Sequence, residues 1–138
     1  MQAMASWASK LVSEDMPTRC NWFSEVENQI ELLAELPQGW DSNGADSPSE
    51  SAVFAARDVA RSLAQLECPA PAAVTATRGG GIQFEWGAHG GAYLELECVE
   101  RDTAEFFFSD PEHHEQVEGA VRSGDGLDEI LSYISRTK

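Results

Sequence analysis

The chain is poor in positive charge. Nine Lys and Arg stand against 24 Asp and Glu in 138 residues, a formal net charge of −15. Binding a phosphate backbone requires basic side chains that displace its counterions. Direct binding to DNA or RNA is therefore not expected, nor is attachment to an anionic membrane surface. Cysteine is scarce as well. Cys20, Cys68 and Cys98 are widely spaced, odd in number and form no C-x-x-C pair. A structural zinc site has no support from that spacing, and an odd count fits a disulfide-stapled secreted domain poorly. Each cysteine has apolar neighbours, so buried thiols are expected. The opening MQAMASWASKLVSEDMP has neither an early basic region nor a continuous apolar stretch, and does not read as a signal peptide. No apolar run approaches the length of a membrane span. A reducing, cytoplasmic compartment is the expectation.

Local signatures of catalysis are missing too. No serine has a G-x-S-x-G setting, and no cysteine stands in a nucleophile motif. The Gly-rich RGGGIQ lies between two strand-like segments and lacks a following Lys-Ser/Thr, so it reads as a hairpin loop rather than a phosphate cradle. His113 and His114 sit in SDPEHHEQVEGA. His114 and Glu118, four apart, would share one face of a helix and could hold a metal. A third convergent ligand is wanting, and an exposed acidic helix turn is the expected structure. These histidines would give sensitivity between pH 5 and 8. No cofactor and no metal are expected.

What remains is a chain long enough for one core, in an α+β order. Met4, Trp7 and Leu11 have roughly helical spacing, so residues 1–16 read as an N-terminal arm or short amphipathic helix, and residues 17–138 as a single domain. After Pro17, with Thr18 available as a cap, Trp22, Phe23, Val26, Ile30 and Leu33 form a helical stripe that ends at Pro37 and Gly39. A second helix is expected with Ser47 as N-cap, Pro48 at its first position and Glu50 completing a capping box. Its stripe is Ala52, Val53, Ala56, Val59, Ala60, Leu63 and Leu66.

The period then drops to two. AVTATR, GIQFEW, AYLELECV and TAEFFFS read as four strands joined by short turn-rich links. Short links imply an antiparallel meander with one apolar and one wet face. A last helix is expected from about Asp125 through Leu127, Ile130, Leu131 and Ile134. The expected architecture is a two-layer α-α-β-β-β-β-α domain, a four-stranded meander with helices on one face.

GWDSNGADSPSE, residues 39–50, is the most patterned stretch. Asn43-Gly44 is turn chemistry, Asp41 is placed for an Asx-turn, and Trp40 is large enough to anchor the loop on the core. Trp40 and Asp41 are the loop's candidate contact residues if it binds anything. The combination GWDSNGA, a helix, a proline linker and GGGIQFEW resembles a pattern, G-W-D-x-x-G-A followed by G-G-[IVL]-x-[LF]-E-W, of small bacterial and phage proteins of unestablished function. It spans residues 36–97. The resemblance implies a shared fold and brings no catalytic residues with it.

Charge layout carries the functional reading. Between Arg19 and Arg57 there are seven acids and no basic residue. Glu85, Glu95, Glu97 and Glu105 fall on the polar side of three consecutive strands, where like charges opposite one another weaken a sheet. Such a face is either a solvated surface or a docking surface for a basic partner, with Phe107 and Tyr93 as its apolar centre. The leading expectation is a non-enzymatic acidic protein that inhibits or regulates a protein partner, itself basic or nucleic-acid-binding, in the manner of antitoxins, immunity proteins or phage anti-defence inhibitors, with its Glu rows imitating nucleic acid. The alternative is a small enzyme or ligand-binding domain using the Trp40/Asp41 loop with His113 or His114.

Overall fold

In a computed structural model of the chain, residues 16–88, 90–122 and 125–137 are described. The N-terminal stripe of Met4, Trp7 and Leu11 and the side chain of Cys20 lie outside them. The order is α1 (Met16–Ala34), α2 (Glu50–Gln65), β1 (Ala73–Ala76), β2 (Ile82–Gly87), β3 (Tyr93–Glu100), β4 (Thr103–Asp110), a 3₁₀ turn (Pro111–His113), β5 (Glu115–Arg122) and α3 (Leu127–Arg136). The class is α+β, and the sheet is an antiparallel meander in the order β1-β2-β3-β4-β5. Among the described residues, no helix is long and apolar enough to cross a membrane.

The sheet has five strands where four were expected. Of the segment from His114 to Glu118, expected as a helix turn, all but His114 lies in β5. Its inner positions are Val117, Gly119 and Val121, opposite Phe108, Phe106 and Ala104. Glycine at the middle position hides the alternation from a hydrophobicity reading. Its cause is steric: a Cβ at Gly119 would lie 3.0 Å from the Phe106 ring. His114 itself has φ 53° and closes the 3₁₀ turn.

α1 starts at Met16, so Pro17 falls in its first turn, where a missing N–H costs no intrahelical bond. The helix begins one residue ahead of the expected boundary and has no room for Thr18 as a cap. Among its described side chains Val26 and Ile30, one turn apart, are buried, with Trp22, Phe23 and Leu33 packed at the rim. α2 buries Ala52, Ala55, Ala56, Ala60, Leu63 and Ala64. Five of these six are alanines, which lets the helix lie close on β2 and β3.

The start of α2 also departs from expectation. Ser49 is the N-cap, its hydroxyl accepting from the Ala52 amide at 3.0 Å. Ser47 and Pro48 stay in loop conformation, because the Ser47 amide donates to Gln38 Oε1 and the Ser49 amide to the Gly80 carbonyl. Tertiary bonds hold the chain out of the helix for two more residues.

All three helices cover one side of the sheet. Ile82, Phe84 and Trp86 of β2, Leu94, Leu96 and Cys98 of β3, and Ala104, Phe106 and Phe108 of β4 meet Val26, Ile30, Leu63, Ile130 and Ile134 there. Each large side chain fully buried in that layer contributes on the order of 1.5–3 kcal/mol. Tyr133 stacks on Phe108, with centroids 4.5 Å apart. The linker from α2 to β1 is held by two indoles: Trp22 donates to the Cys68 carbonyl at 2.9 Å and Trp86 to that of Pro69 at 3.0 Å. Cys68 and Cys98 are both buried. Burial, with Glu97 adjacent, pushes the Cys98 thiol up to about 12.

Candidate functional site

Among the described residues, no helix covers the other side of the sheet, and strand alternation decides what it shows. Outward residues meet across the strands in rows, and two of these carry the glutamates. One runs Thr75, Gln83, Glu97, Glu105, Ala120; the other runs Ala73, Glu85, Glu95, Phe107, Glu118. Glu85 thus faces Glu95 directly, and Glu97 faces Glu105. Neighbouring strands lie about 4.8 Å apart, so each pair sets two carboxylates side by side at a cost.

Three of these glutamates are eased by uncharged donors. Thr77 Oγ1 donates to Glu97 Oε2 at 2.7 Å, Gln83 Nε2 to Glu85 Oε2 at 2.9 Å, and the Tyr93 hydroxyl to Glu95 Oε2 at 2.8 Å. Among the described residues, no Lys or Arg pairs with any glutamate of the two rows. Negative charge is therefore held in place without being neutralised. Tyr93 is buried, and that burial, with Glu95 and Glu85 beside it, drives its phenol above its ordinary value of 10.0, so it stays a donor at neutral pH.

Gln83, Glu95, Glu97, Glu105, Phe107 and Glu118 line an open depression of about 180 Å³. Phe107 is half-buried and stands between Glu95 and Glu118 in the row. All six residues expected to share a surface, Glu85, Glu95, Glu97, Glu105, Phe107 and Tyr93, come to this one face. Gln83 and Glu118, not among the candidate residues, join it. Gln83 was legible as the outward neighbour of Glu85; Glu118 was masked by the missed strand.

The loop at Trp40 and Asp41 is built differently. Asp41 Oδ1 accepts from the amides of Asn43 at 2.8 Å and Ala45 at 3.0 Å, and Oδ2 from Arg78 Nε at 2.9 Å. Desolvation works to raise the Asp41 carboxyl, but the Ala45 and Asn43 amides and the Arg78 guanidinium outweigh it and hold the group below its ordinary 3.8. Arg78 also donates to the Asn43 carbonyl, and the Asp46 amide donates to the Arg78 carbonyl at 2.9 Å. Trp40 is only half-buried; its indole donates to the Asp46 carbonyl at 2.8 Å. Instead of reaching the core it folds the loop onto itself. The loop is a clasp against the β1–β2 turn. Gly80, at φ +91°, brings its backbone under the Ser47 carbonyl, which a Cβ would meet at 3.1 Å.

His113 and His114 stand in the β4–β5 connection, whereas the clasp grips the β1–β2 connection. In a meander these turns lie at opposite ends of the sheet and three strand spacings apart, about 14 Å sideways. The loop and the histidines do not converge on one site. His113 Nδ1 lies 2.9 Å from Asp110 Oδ2, and Arg136 Nη2 donates to the same oxygen at 2.6 Å and to Glu115 Oε1 at 2.7 Å. Arg136 and His113 hold the buried Asp110 carboxyl below its ordinary value against desolvation. Asp110, Glu112 and His113 bring three possible ligand atoms within 4.8 Å of one another, but the Arg136 guanidinium already occupies the central carboxylate. The arrangement ties α3 to the end of the sheet.

Any reading of the acidic face rests on its own geometry: no protein-family model, curated protein or solved structure matches the chain.

Proposed function

We propose that the chain is a non-enzymatic binding protein that docks a basic protein partner on its uncovered sheet face and thereby inhibits or regulates it. One observation carries this: two directly opposed glutamate pairs kept on one rigid face, fixed by uncharged donors, around a half-buried Phe107. Unneutralised charge of one sign steers a partner of the other sign and selects against wrong ones, and an aromatic at the centre supplies the desolvated contact on which affinity depends. Carboxylates two residues apart along a strand are separated by about 6.7 Å, giving regular rows of negative charge of the kind a nucleic-acid-binding protein would accept in place of phosphates. Antitoxins, immunity proteins and phage-encoded inhibitors are the type of protein meant.

The test compares the wild type with the reversed variant Glu85→Lys, Glu95→Lys, Glu97→Lys, Glu105→Lys as baits in the native host, at low and high salt, after circular dichroism has shown the variant folded. A stoichiometric basic partner that salt releases and the variant fails to hold is the expected result. A partner held equally by the variant sinks the reading.

A further inference from the structure

Phe54 stands on the outer side of α2 with 48% of its surface in water. Two arginines from different elements come to it. Arg101, in the turn between β3 and β4, lays its guanidinium 4.2 Å from the ring centroid. Among the described residues it pairs with no carboxylate. A guanidinium stacked on a ring keeps its planar fork of donors for a bidentate acceptor. Arg57, about one turn along α2, pairs with Glu31 at 3.5 Å, longer than a charge-assisted bond of about 2.7–2.9 Å. Its Nε is the one buried side-chain polar atom among the described residues with no hydrogen-bond partner, a costly state for a charged donor. Both arginines, with Pro48, Val53 and Phe54, line an open cavity of about 350 Å³ whose lining holds one acid, Glu50. In the adjoining depression, which shares Phe54 and Arg57, the balance reverses: Glu27, Glu31 and Asp58 stand against Arg57 and Arg61.

We infer that this cavity binds a small carboxylate carried on an apolar ring. Its volume falls within the range of small-ligand sites, roughly 300–1,000 Å³, and it has their make-up: apolar walls and a few convergent polar groups. The charge balance selects the sign. Two arginines, which stay protonated at any physiological pH, outweigh Glu50, so a cation is disfavoured. The orphan Nε selects an acceptor over a neutral apolar ligand. Glu50 beside the arginines selects a monoanion over a phosphate, whose second charge would meet it. A carboxylate has two oxygens to offer. One takes the fork of Arg101. The other takes Nε and Nη2 of Arg57 once that side chain turns from Glu31, giving up only a long contact. The ring then packs on Pro48, Val53 and the part of Phe54 that Arg101 leaves open. The net charge of −15 repels an anion from a distance, but screening at physiological ionic strength confines that repulsion to about 8 Å. The Glu85, Glu95, Glu97 and Glu105 rows lie across the sheet from the helices, so the inference is independent of the proposed partner.

Phenylacetate is the probe. It is titrated into the purified full chain at physiological salt to about 20 mM, because a ligand of this size binds in roughly the millimolar range. Proton–nitrogen correlation spectra that include the arginine Nε–H signals follow the binding. Saturable shifts at Phe54, Arg57 and Arg101 are expected, with the Arg57 Nε–H signal moving as it gains an acceptor. Arg57→Met and Arg101→Met each weaken binding about tenfold or more, the loss of a hydrogen bond to a charged group. Arg122→Met, at the far end of β5, leaves it unchanged. Phenylacetamide, with the ring but no charge, and acetate, with the charge but no ring, both bind more weakly than phenylacetate. No saturable shift overturns the inference, and so does binding that survives both arginine variants. Phenylacetamide binding as well as phenylacetate would make the cavity merely apolar, and acetate doing so would make it a general anion contact; either result overturns the ligand class. The Arg101 side chain pairs with no carboxylate, so Arg101→Met melts close to wild type and decides the matter even where Arg57→Met fails to fold.

Discussion

Removing charge from the proposed binding face should stabilise the fold, and the structure sets the size of the gain. Glu95→Gln relieves the Glu85 pair, and Glu105→Gln relieves the Glu97 pair. A glutamine at position 95 still accepts from the Tyr93 hydroxyl, so the hydrogen bond there survives. Each relieved opposition is worth about 0.2–1 kcal/mol. The double variant gains roughly 0.5–2 kcal/mol, somewhat off additivity because the sites adjoin. For a domain of this size 1 kcal/mol corresponds to about 3–5 °C in Tm, so the double variant melts roughly 2–10 °C above wild type at low ionic strength. In 1 M salt, where screening acts over about 3 Å, most of the difference disappears. Glu25→Gln, exposed on α1, gives the effect of losing one charge away from the face. Differential scanning calorimetry at both salts measures all of this. A double variant that melts at or below wild type in low salt, or one whose advantage persists undiminished in high salt, would refute the claim that opposed glutamates tax the sheet. It would also remove the reason for regarding the face as selected for something other than stability.

Two further outcomes follow from the packing. Gly119→Val puts a branched side chain where Phe106 leaves 3.0 Å; overpacking costs about 1–3 kcal/mol and better strand propensity returns at most about 1, so the variant should melt lower, and a higher Tm would mean the ring has room to move. The Asp110 carboxyl is held below 3.8 in the folded state, so the stability it contributes is complete above its unfolded value and is lost as pH falls through the depressed one. A plot of Tm against pH should therefore drop more steeply below about pH 4 in wild type than in Asp110→Asn, and superimposable acid limbs would show that the Arg136 contact contributes nothing.

How much of this was open to sequence reading depends on what each residue's neighbours supply. Ile82, Phe84 and Trp86 announce their strand because both faces of the alternation are chemically distinct, and the same holds for the Glu-alternating β3. From that alternation alone Glu85, Glu95, Glu97 and Glu105 fall on one side. β5 was lost because its central inner position is a glycine dictated by a ring on another strand. The cap of α2 was misplaced by two residues for a similar reason: Ser47 satisfies every local rule, but its amide and that of Ser49 are taken by Gln38 and Gly80. Trp40 was legible as an anchor, though not what it anchors to. Thr77 on Glu97, 20 residues away, and Arg78 on Asp41, 37 away, are contacts that no local pattern encodes.

The clasp bears on how such a chain can change over generations. Asp41 and Arg78 hold one another across two distant motifs, so losing either strands the charge of the other, and lineages should alter them together or not at all. Of the glutamates on the open face, Glu95 and Glu97 are tied to Tyr93 and Thr77, while Glu105 and Glu118 bond to no side chain among the described residues and can drift singly, with the frame beneath them undisturbed. A fold arranged in this way can hold its architecture fixed while its exposed charges follow a partner that is itself changing.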